Sequence, residues 1–466
     1  SIPVFAVTIR SVDDRFKSIT LKIDRTSPTL VFGTPTPAPN AAGWNNSDVS
    51  VPFAASDNLS GVDSTSPSSS PIVLTGEGST VTGTVVVTDK AGNSANFTTT
   101  VFKIDRTPPT ITGAWTPPPN ANDWNNTNVT VSFTANDSLS GIASVTPLTV
   151  VSTEGQSQTV MGTAIDVAGN SAVTTVGNIN IDKTSPTLTF GPVTPAPNAA
   201  GWNNSNVTIP YTVNDNLSGV VSTSLPSPLS FTAEGSGLTQ SVTVVDRAGN
   251  SVTFVSPVVN LDKTRPVITV SSPQPRNYFT SENFTLAFFA SDNISGLASV
   301  GATLDGNPVT SGHIINLAGM AGSHSFTVSA TDAAGNTDDA TVSFYVIIAA
   351  TVDIDPDTLN VKSQSDKNAI TVYIEFPAGY DVAQINVASV KLSVNGVTVA
   401  AQLTPSSVGD YDGDKIADRM VKFERQAIIA ALVGKTGDVN MTVTGQLNGG
   451  REFTGTDTIK VINPGK

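Results

Sequence analysis

The chain repeats itself, and that self-similarity constrains its fold more than any single motif does. A tetrad of Ile or Leu, Asp, Arg or Lys, then Thr recurs at Ile23-Asp24-Arg25-Thr26, Ile104-Asp105-Arg106-Thr107, Ile181-Asp182-Lys183-Thr184 and Leu261-Asp262-Lys263-Thr264. Its aspartates are spaced by 81, 77 and 80 residues, the size of one small domain. Two residues after each threonine comes a proline (Pro28, Pro109, Pro186, Pro266), which favours an extended entry into the next unit.

Three more signposts keep step. A DxxSG turn spans Asp57 to Gly61, Asp137 to Gly141, Asp215 to Gly219 and Asp292 to Gly296, and a DxAGN turn spans Asp89 to Asn93, Asp166 to Asn170, Asp246 to Asn250 and Asp332 to Asn336. A WNN triplet starts at Trp44, Trp124 and Trp202 but is missing from the fourth unit. Between signposts apolar and polar residues alternate, as in Val49, Val51 and Phe53, with no helical period. The fold class expected is all-β: tandem immunoglobulin-like β-sandwiches in a linear rod, plus a C-terminal, mostly-β module with a short helix. The expected segments are a terminal hairpin of an incomplete upstream domain over 1–22, repeats over 23–103, 104–180, 181–260 and 261–348, and the C-terminal module over 349–466. In that module strand-like runs stand at Ile370 to Phe376 and Val390 to Val399, with a helix around Arg425 to Leu432.

Composition narrows function. A net charge of -14 opposes binding to nucleic-acid phosphates or anionic lipid and favours cations. No cysteine is present, so neither disulfides nor thiolate sites hold these small domains, which leaves a place for a structural metal. The longest apolar run, Phe344 to Val352, falls far short of the roughly 20 residues of a membrane span. The chain has no initiator Met or signal-peptide pattern, which suggests a processed or excised piece, and the hairpin over 1–22 is expected to need strands from upstream or from a neighbouring copy.

The IDxT-x-P, DxxSG and DxAGN set resembles the bacterial immunoglobulin-like (Big-type) repeats of large surface adhesins and of non-catalytic regions of secreted enzymes, over residues 23 to 348. Residues 349–466 resemble a C-terminal module of secreted prokaryotic proteins. The resemblance implies an extracellular or cell-surface location and a structural role.

In an antiparallel seven-stranded sandwich the entering linker, the BC loop and the FG loop share one pole. With DxxSG in BC and DxAGN in FG, the topology gathers Asp24, Asp57 and Asp89; Asp105, Asp137 and Asp166; Asp182, Asp215 and Asp246; and Asp262, Asp292 and Asp332. Three carboxylates at a tight junction repel, and calcium, which takes six to eight oxygens, reverses that penalty. Glu77, Glu154 and Glu234 each precede a Gly in the EF turn facing the following domain, and the fourth repeat lacks both this Glu and WNN. Glu and WNN are therefore assigned to the junction, and Glu77, Glu154 and Glu234 are expected among its metal ligands. The same Asp, Asn, Ser and Gly residues are also what tight turns select unaided. Each Trp is read as a cap over the core rather than a sugar platform.

A sharper metal motif runs from Asp410 to Asp418. Asp410, Asp412, Asp414 and Asp418 occupy positions 1, 3, 5 and 9 of an EF-hand-like loop, and the Ile416 carbonyl stands at 7. Lys415 replaces the usual Gly at position 6 and Val421 stands where an acid is usual at 12. Catalysis has no foothold: His313 and His324 lack metal or nucleophile partners in sequence, and no phosphate loop follows a strand. The function expected is thus a calcium-stiffened extracellular stalk, spacer, surface filament or adhesin segment, with neighbouring copies or other surface proteins as partners. The alternatives are carbohydrate-binding or wall-attachment modules, or the accessory region of a secreted hydrolase.

Overall fold

A computed structural model describes residues 21–363 and 368–463, so the hairpin expected over residues 1–22 lies outside the described residues but for its last two positions. The chain divides into two compact units: Ser1–Thr189, Tyr211–Pro226 and Ser241–Val255 form the first, and Phe190–Pro210, Ser227–Gln240 and Ser256–Lys466 the second.

In the first unit, strands form where β-branched residues alternate with polar ones. Along Thr84–Asp89, for example, Val85 and Val87 are fully buried while Thr84 is exposed. The second repeat shows the architecture most clearly. One antiparallel sheet joins Thr110–Thr116, Val129–Asn136 and Thr149–Val151; the other joins Ile142–Val145, Gly155–Asp166 and Ser171–Ile181, with Asn125 bridged in parallel to Ile181. The core between them holds Val129, Val131, Phe133, Val176, Ile179 and Ile181. Gly162 makes room for the Phe133 ring, because a Cβ there would stand 2.4 Å from Cδ1. Trp44 and Trp124 are buried, as expected of caps, whereas Trp202 is only half-buried. The third repeat contributes its sheet Val220–Thr223, Ser241–Asp246 and Ser251–Val255 to the first unit, and the pairs Val207–Ile209 with Leu229–Phe231 and Gly235–Leu238 with Val259–Leu261 to the second.

In the second unit, the fourth repeat pairs Leu297–Leu304, Gly322–Asp332 and Thr337–Ala349. Asn277–Phe279 runs parallel to Tyr345–Ile347, the place that Trp44–Asn45 takes against Lys103–Ile104 in the first repeat. The sequence puts a boundary at 348/349, but the strand Thr337–Ala349 runs across it, with Ile348 and Ala349 paired in parallel to Phe453 and Thr454. Ala321 and Ile348 belong to the same core as Val352, Ile374, Leu392 and Phe453. Repeat and module are therefore joined by one sheet and one core, not by a linker.

The strand expected over Ile370 to Phe376 is Ala369–Glu375, and the helix is Arg425–Ala431, with Ile428 and Ala431 in the core. The run Val390 to Val399 is two strands, Ile385–Val394 and Val397–Gly409, folded at Asn395 and Gly396. Both turn residues have positive φ (51° and 77°), which two-residue hairpin loops require. Among the described residues no helix is long and apolar enough to cross a membrane.

Candidate metal centres

The tetrad at each repeat entrance works as a two-way connector. Ile104, Ile181 and Leu261 are fully buried in the repeat they leave. The next residue, Asp, faces forward. Its Oδ1 accepts from the Thr two positions on, at 2.8, 3.1, 3.0 and 2.9 Å for Asp24, Asp105, Asp182 and Asp262. Its Oδ2 accepts from the serine N–H of DxxSG, at 3.1 Å from Ser60, 3.0 Å from Ser140, 2.9 Å from Ser218 and 3.0 Å from Ser295.

Each DxxSG aspartate caps its own turn, with Oδ1 of Asp57, Asp137, Asp215 and Asp292 accepting the glycine N–H at 2.6 to 2.8 Å. In DxAGN, the Asn Nδ2 donates to Oδ2 of Asp89, Asp166, Asp246 or Asp332 and also to the linker aspartate's carbonyl, as Asn170 does to Asp105 at 2.8 Å. The loops thus bring together the carboxylates that the sequence groups: within each of the four triplets, one oxygen per residue lies within 4.8 Å of the others.

The electrostatics of these groups are lopsided. Asp105, Asp182, Asp262, Asp89, Asp166, Asp246 and Asp332 are all at most 1% exposed. Among the described residues none of the twelve aspartates is in an ion pair with Lys, Arg or His. Buried charges normally pair or hold metal. Hydrogen bonds keep two of the carboxyls acidic despite the crowding. Thr26 and Ser60 hold Asp24 below the usual range. Burial, the largest single influence on Asp89, pushes it up, but bonds from Asn93 and Ala91 together pull it below its ordinary value against the Asp24 charge. Such oxygen-only groups suit a hard divalent cation such as calcium.

The glutamates have another task. Glu77 accepts from the Arg106 N–H at 2.9 Å and the Thr107 hydroxyl at 2.9 Å. Glu154 and Glu234 hold Lys183 with Thr184, and Lys263 with Thr264, in the same way. The Thr107 hydroxyl, then the Arg106 N–H, lower the Glu77 carboxyl despite burial. The linker cations reach back as well: Arg106 to Asp48 and the Thr75 carbonyl, Lys183 and Lys263 to the Ser152 and Thr232 carbonyls. Glu77, Glu154 and Glu234, expected among the metal ligands, instead clamp the linkers, and the four carboxylate groups are built of aspartates alone.

In the terminal module the loop expected to bind an ion is organised by its first residue. Asp410 accepts from the N–H groups of Gly413 (2.8 Å) and Lys415 (3.1 Å), and Lys415 takes positive φ (78°) where a glycine is usual. Asp414 accepts the Ile416 N–H, and buried Asp418 accepts the Tyr411 N–H. The close carboxylate triplet is Asp412, Asp414 and Glu375, and Glu375 comes from a strand in which it pairs with Asp418. No local spacing revealed Glu375; only the pairing of Ala369–Glu375 with Asp418–Glu424 brings it in.

Here the shifts run opposite to those of Asp24 and Asp89. Burial first, then the charges of Asp414, Asp418 and Asp412, raise Glu375. Asp418 is raised by burial, opposed by the Tyr411 N–H and reinforced by Asp412, Asp414 and Asp410. Asp353, raised by burial and then Asp457, shares with them a cavity of about 90 Å³ that Tyr373 and Tyr411 also line, with ring centroids 4.8 Å apart. As for the histidines, His324 directs Nδ1 to Asp305 at 2.7 Å and Nε2 to the Met320 carbonyl, so both its ring nitrogens are engaged.

No protein-family model matches the chain, and no curated protein matches its sequence. Solved structures that it resembles include a Ca2+-stabilised adhesin by which an Antarctic bacterium reaches out and binds ice (16% identity, 94% of this chain, 100% of that one, TM-score 0.21). Others are the extracellular domain of protocadherin gamma B4 (13%, 100% and 82%, TM-score 0.27) and fibronectin(III)-like modules of Clostridium thermocellum CbhA (19%, 34% and 94%, TM-score 0.18). Scores of this size carry no functional argument, so function rests on the geometry of the carboxylate groups.

Proposed function

We propose that the chain is a non-catalytic extracellular structural array, a spacer or adhesin segment, whose repeats are locked to one another by calcium. One observation carries the reading: four times over, buried aspartates gather at a repeat entrance with no cationic side chain to balance them. A bare cluster of that kind opposes folding, and an ion bound only by the folded junction stabilises it by mass action. The loop around Asp412, Asp414 and Glu375 takes a further ion, with Asp410 and Asp418 ordering the loop.

Calorimetric titration and small-angle scattering of the whole chain test this together. Calcium should bind at about 10⁻⁴ to 10⁻³ M, and chelation should lower the melting temperature and change the scattering curve. An identical curve and melt with and without chelator refutes the reading. Glycan binding is a second reading, favoured by a hollow of about 580 Å³ in the fourth repeat lined by Arg276, Asn277, Ser323 and Tyr345. A glycan array on which the chain binds nothing removes it.

A further inference from the structure

The acidic poles of the second, third and fourth repeats are not finished by the repeats that carry them. Asn40, Asn120 and Asn198 stand four residues before Trp44, Trp124 and Trp202, and the Oδ1 of each closes its own loop by accepting the tryptophan N–H at 3.0, 3.2 and 3.1 Å. The same oxygen accepts the N–H two positions on, from Ala42, Asn122 and Ala200. The other end of the amide leaves the repeat altogether. Nδ2 donates to the carbonyl of Val167 (2.8 Å), Arg247 (2.8 Å) and Ala333 (2.9 Å), each the residue directly after Asp166, Asp246 or Asp332 in the following repeat. The last Asn of WNN adds a contact: Nδ2 of Asn46, Asn126 and Asn204 lies 3.6, 3.7 and 4.0 Å from where a Cβ would stand on Gly169, Gly249 and Gly335 of that same turn.

We propose that Asn40, Asn120 and Asn198 are positioning residues for the next repeat's carboxylate group, so that ion affinity at each junction is set partly by a side chain of the preceding repeat. The affinity half of this rests on the calcium reading above; the latch itself does not. The physical reason lies in where the bond falls. Gripping the Val167 carbonyl pins the 167–168 peptide, inside the turn whose Gly169 and Asn170 N–H groups hold Oδ1 of Asp166 at 2.7 and 2.8 Å, and fixed outer partners are worth about 10- to 100-fold in metal affinity. An amide also does this without charge. A lysine at the same place would compete with the ion for the carboxylates. The latch recurs at three junctions with the same atoms, and the fourth repeat, which has neither WNN nor a following acidic group, is joined to its neighbour by sheet pairing instead.

The test is Asn40→Asp in the full chain. It keeps the shape and the Oδ1 acceptor that its own loop needs, but points an oxygen at the Val167 carbonyl. In metal-free protein, hydrogen exchange over residues 166–170 should rise while 246–250 stays unchanged. With calcium, affinity at the Asp105, Asp137 and Asp166 group should fall about tenfold. Asn120→Asp should do less at its junction, because Asn122 Nδ2 also donates to the Arg247 carbonyl, at 3.2 Å. Unchanged exchange at 166–170 overturns the latch, and unchanged or tighter calcium binding overturns its positioning role. If exchange responds as stated but the unmutated chain binds no calcium, the latch stands and the calcium reading falls.

Discussion

Replacing Glu375 by Gln should stabilise the metal-free protein and destabilise it relative to the unmutated chain once calcium is present. The oxygens of Glu375, Asp412 and Asp414 lie within 4.8 Å of one another. At that separation two unit charges repel by about 0.9 kcal/mol in water-like surroundings and about 3.5 kcal/mol at the effective dielectric of a half-buried site. Asp412 and Asp414 are exposed, so the water-like figure applies. Removing the Glu375 charge deletes two such pairs, a gain of about 2 kcal/mol. For a cooperative unit of 150 to 250 residues that is a rise in melting temperature of about 4–8 °C. Glutamine keeps the shape but is a poorer calcium ligand, so in about 5 mM calcium, above the usual range for extracellular sites, the order reverses. Differential scanning calorimetry at neutral pH, in chelator and then in calcium, reads both signs. A lower melt in chelator refutes the repulsion argument, and an unchanged calcium increment refutes the assignment of Glu375 as a ligand.

The two kinds of site should also answer acid in opposite ways. Asp24 and Asp89 are lowered below 3.8, so their contribution is present above that value and is lost as pH falls through their folded pKa. Glu375 and Asp418 are raised above 4.5 and 3.8; their contribution is full below those values and is lost as pH rises through the folded pKa. Metal-free melts taken from neutral pH down to about 4.5 should therefore show the terminal unit gaining stability and the first repeat gaining none; responses of one sign contradict this. Gly162→Ala drives a methyl into Phe133 and should cost about 1–3 kcal/mol, read as a lower denaturant midpoint; an unchanged midpoint means that the core has slack there.

The four aspartate groups were legible in the sequence because each ligand sits in a short turn whose chemistry repeats, and strand alternation fixes which turns share a pole. Residues chosen by pairing across the sheet were not. Glu375 reaches Asp412 and Asp414 through the register of two distant strands, and nothing in its own neighbourhood marks it. The boundary at 348/349 was placed by the loss of a repeat motif, whereas the chain continues there as one strand, Thr337–Ala349. The hairpin in Val390 to Val399 was read as a single run, although Asn395-Gly396 is the turn signal most specific for that geometry, because the apolar residues around it hid the turn. The Asn40 latch lay in plain sight as part of a repeating loop, but only the geometry separates its two amide ends into one that holds its own repeat and one that holds the next.

The parallel pairing of Ile348 with Phe453 also sets a timetable. Bonds such as that from the Tyr345 hydroxyl to the Gly450 carbonyl join residues 105 positions apart, and Glu452–Ile462 is the last strand among the described residues. A chain made from its N-terminus can close the first two repeats as they emerge, since their contacts are local. In the fourth repeat the strand Thr337–Ala349 pairs locally up to Ile347, but Ile348 and Ala349 must wait for Phe453 and Thr454. Loops of that span close slowly and leave apolar strand edges open meanwhile. Truncations that trim the C-terminal strand should therefore damage a repeat whose own sequence is untouched.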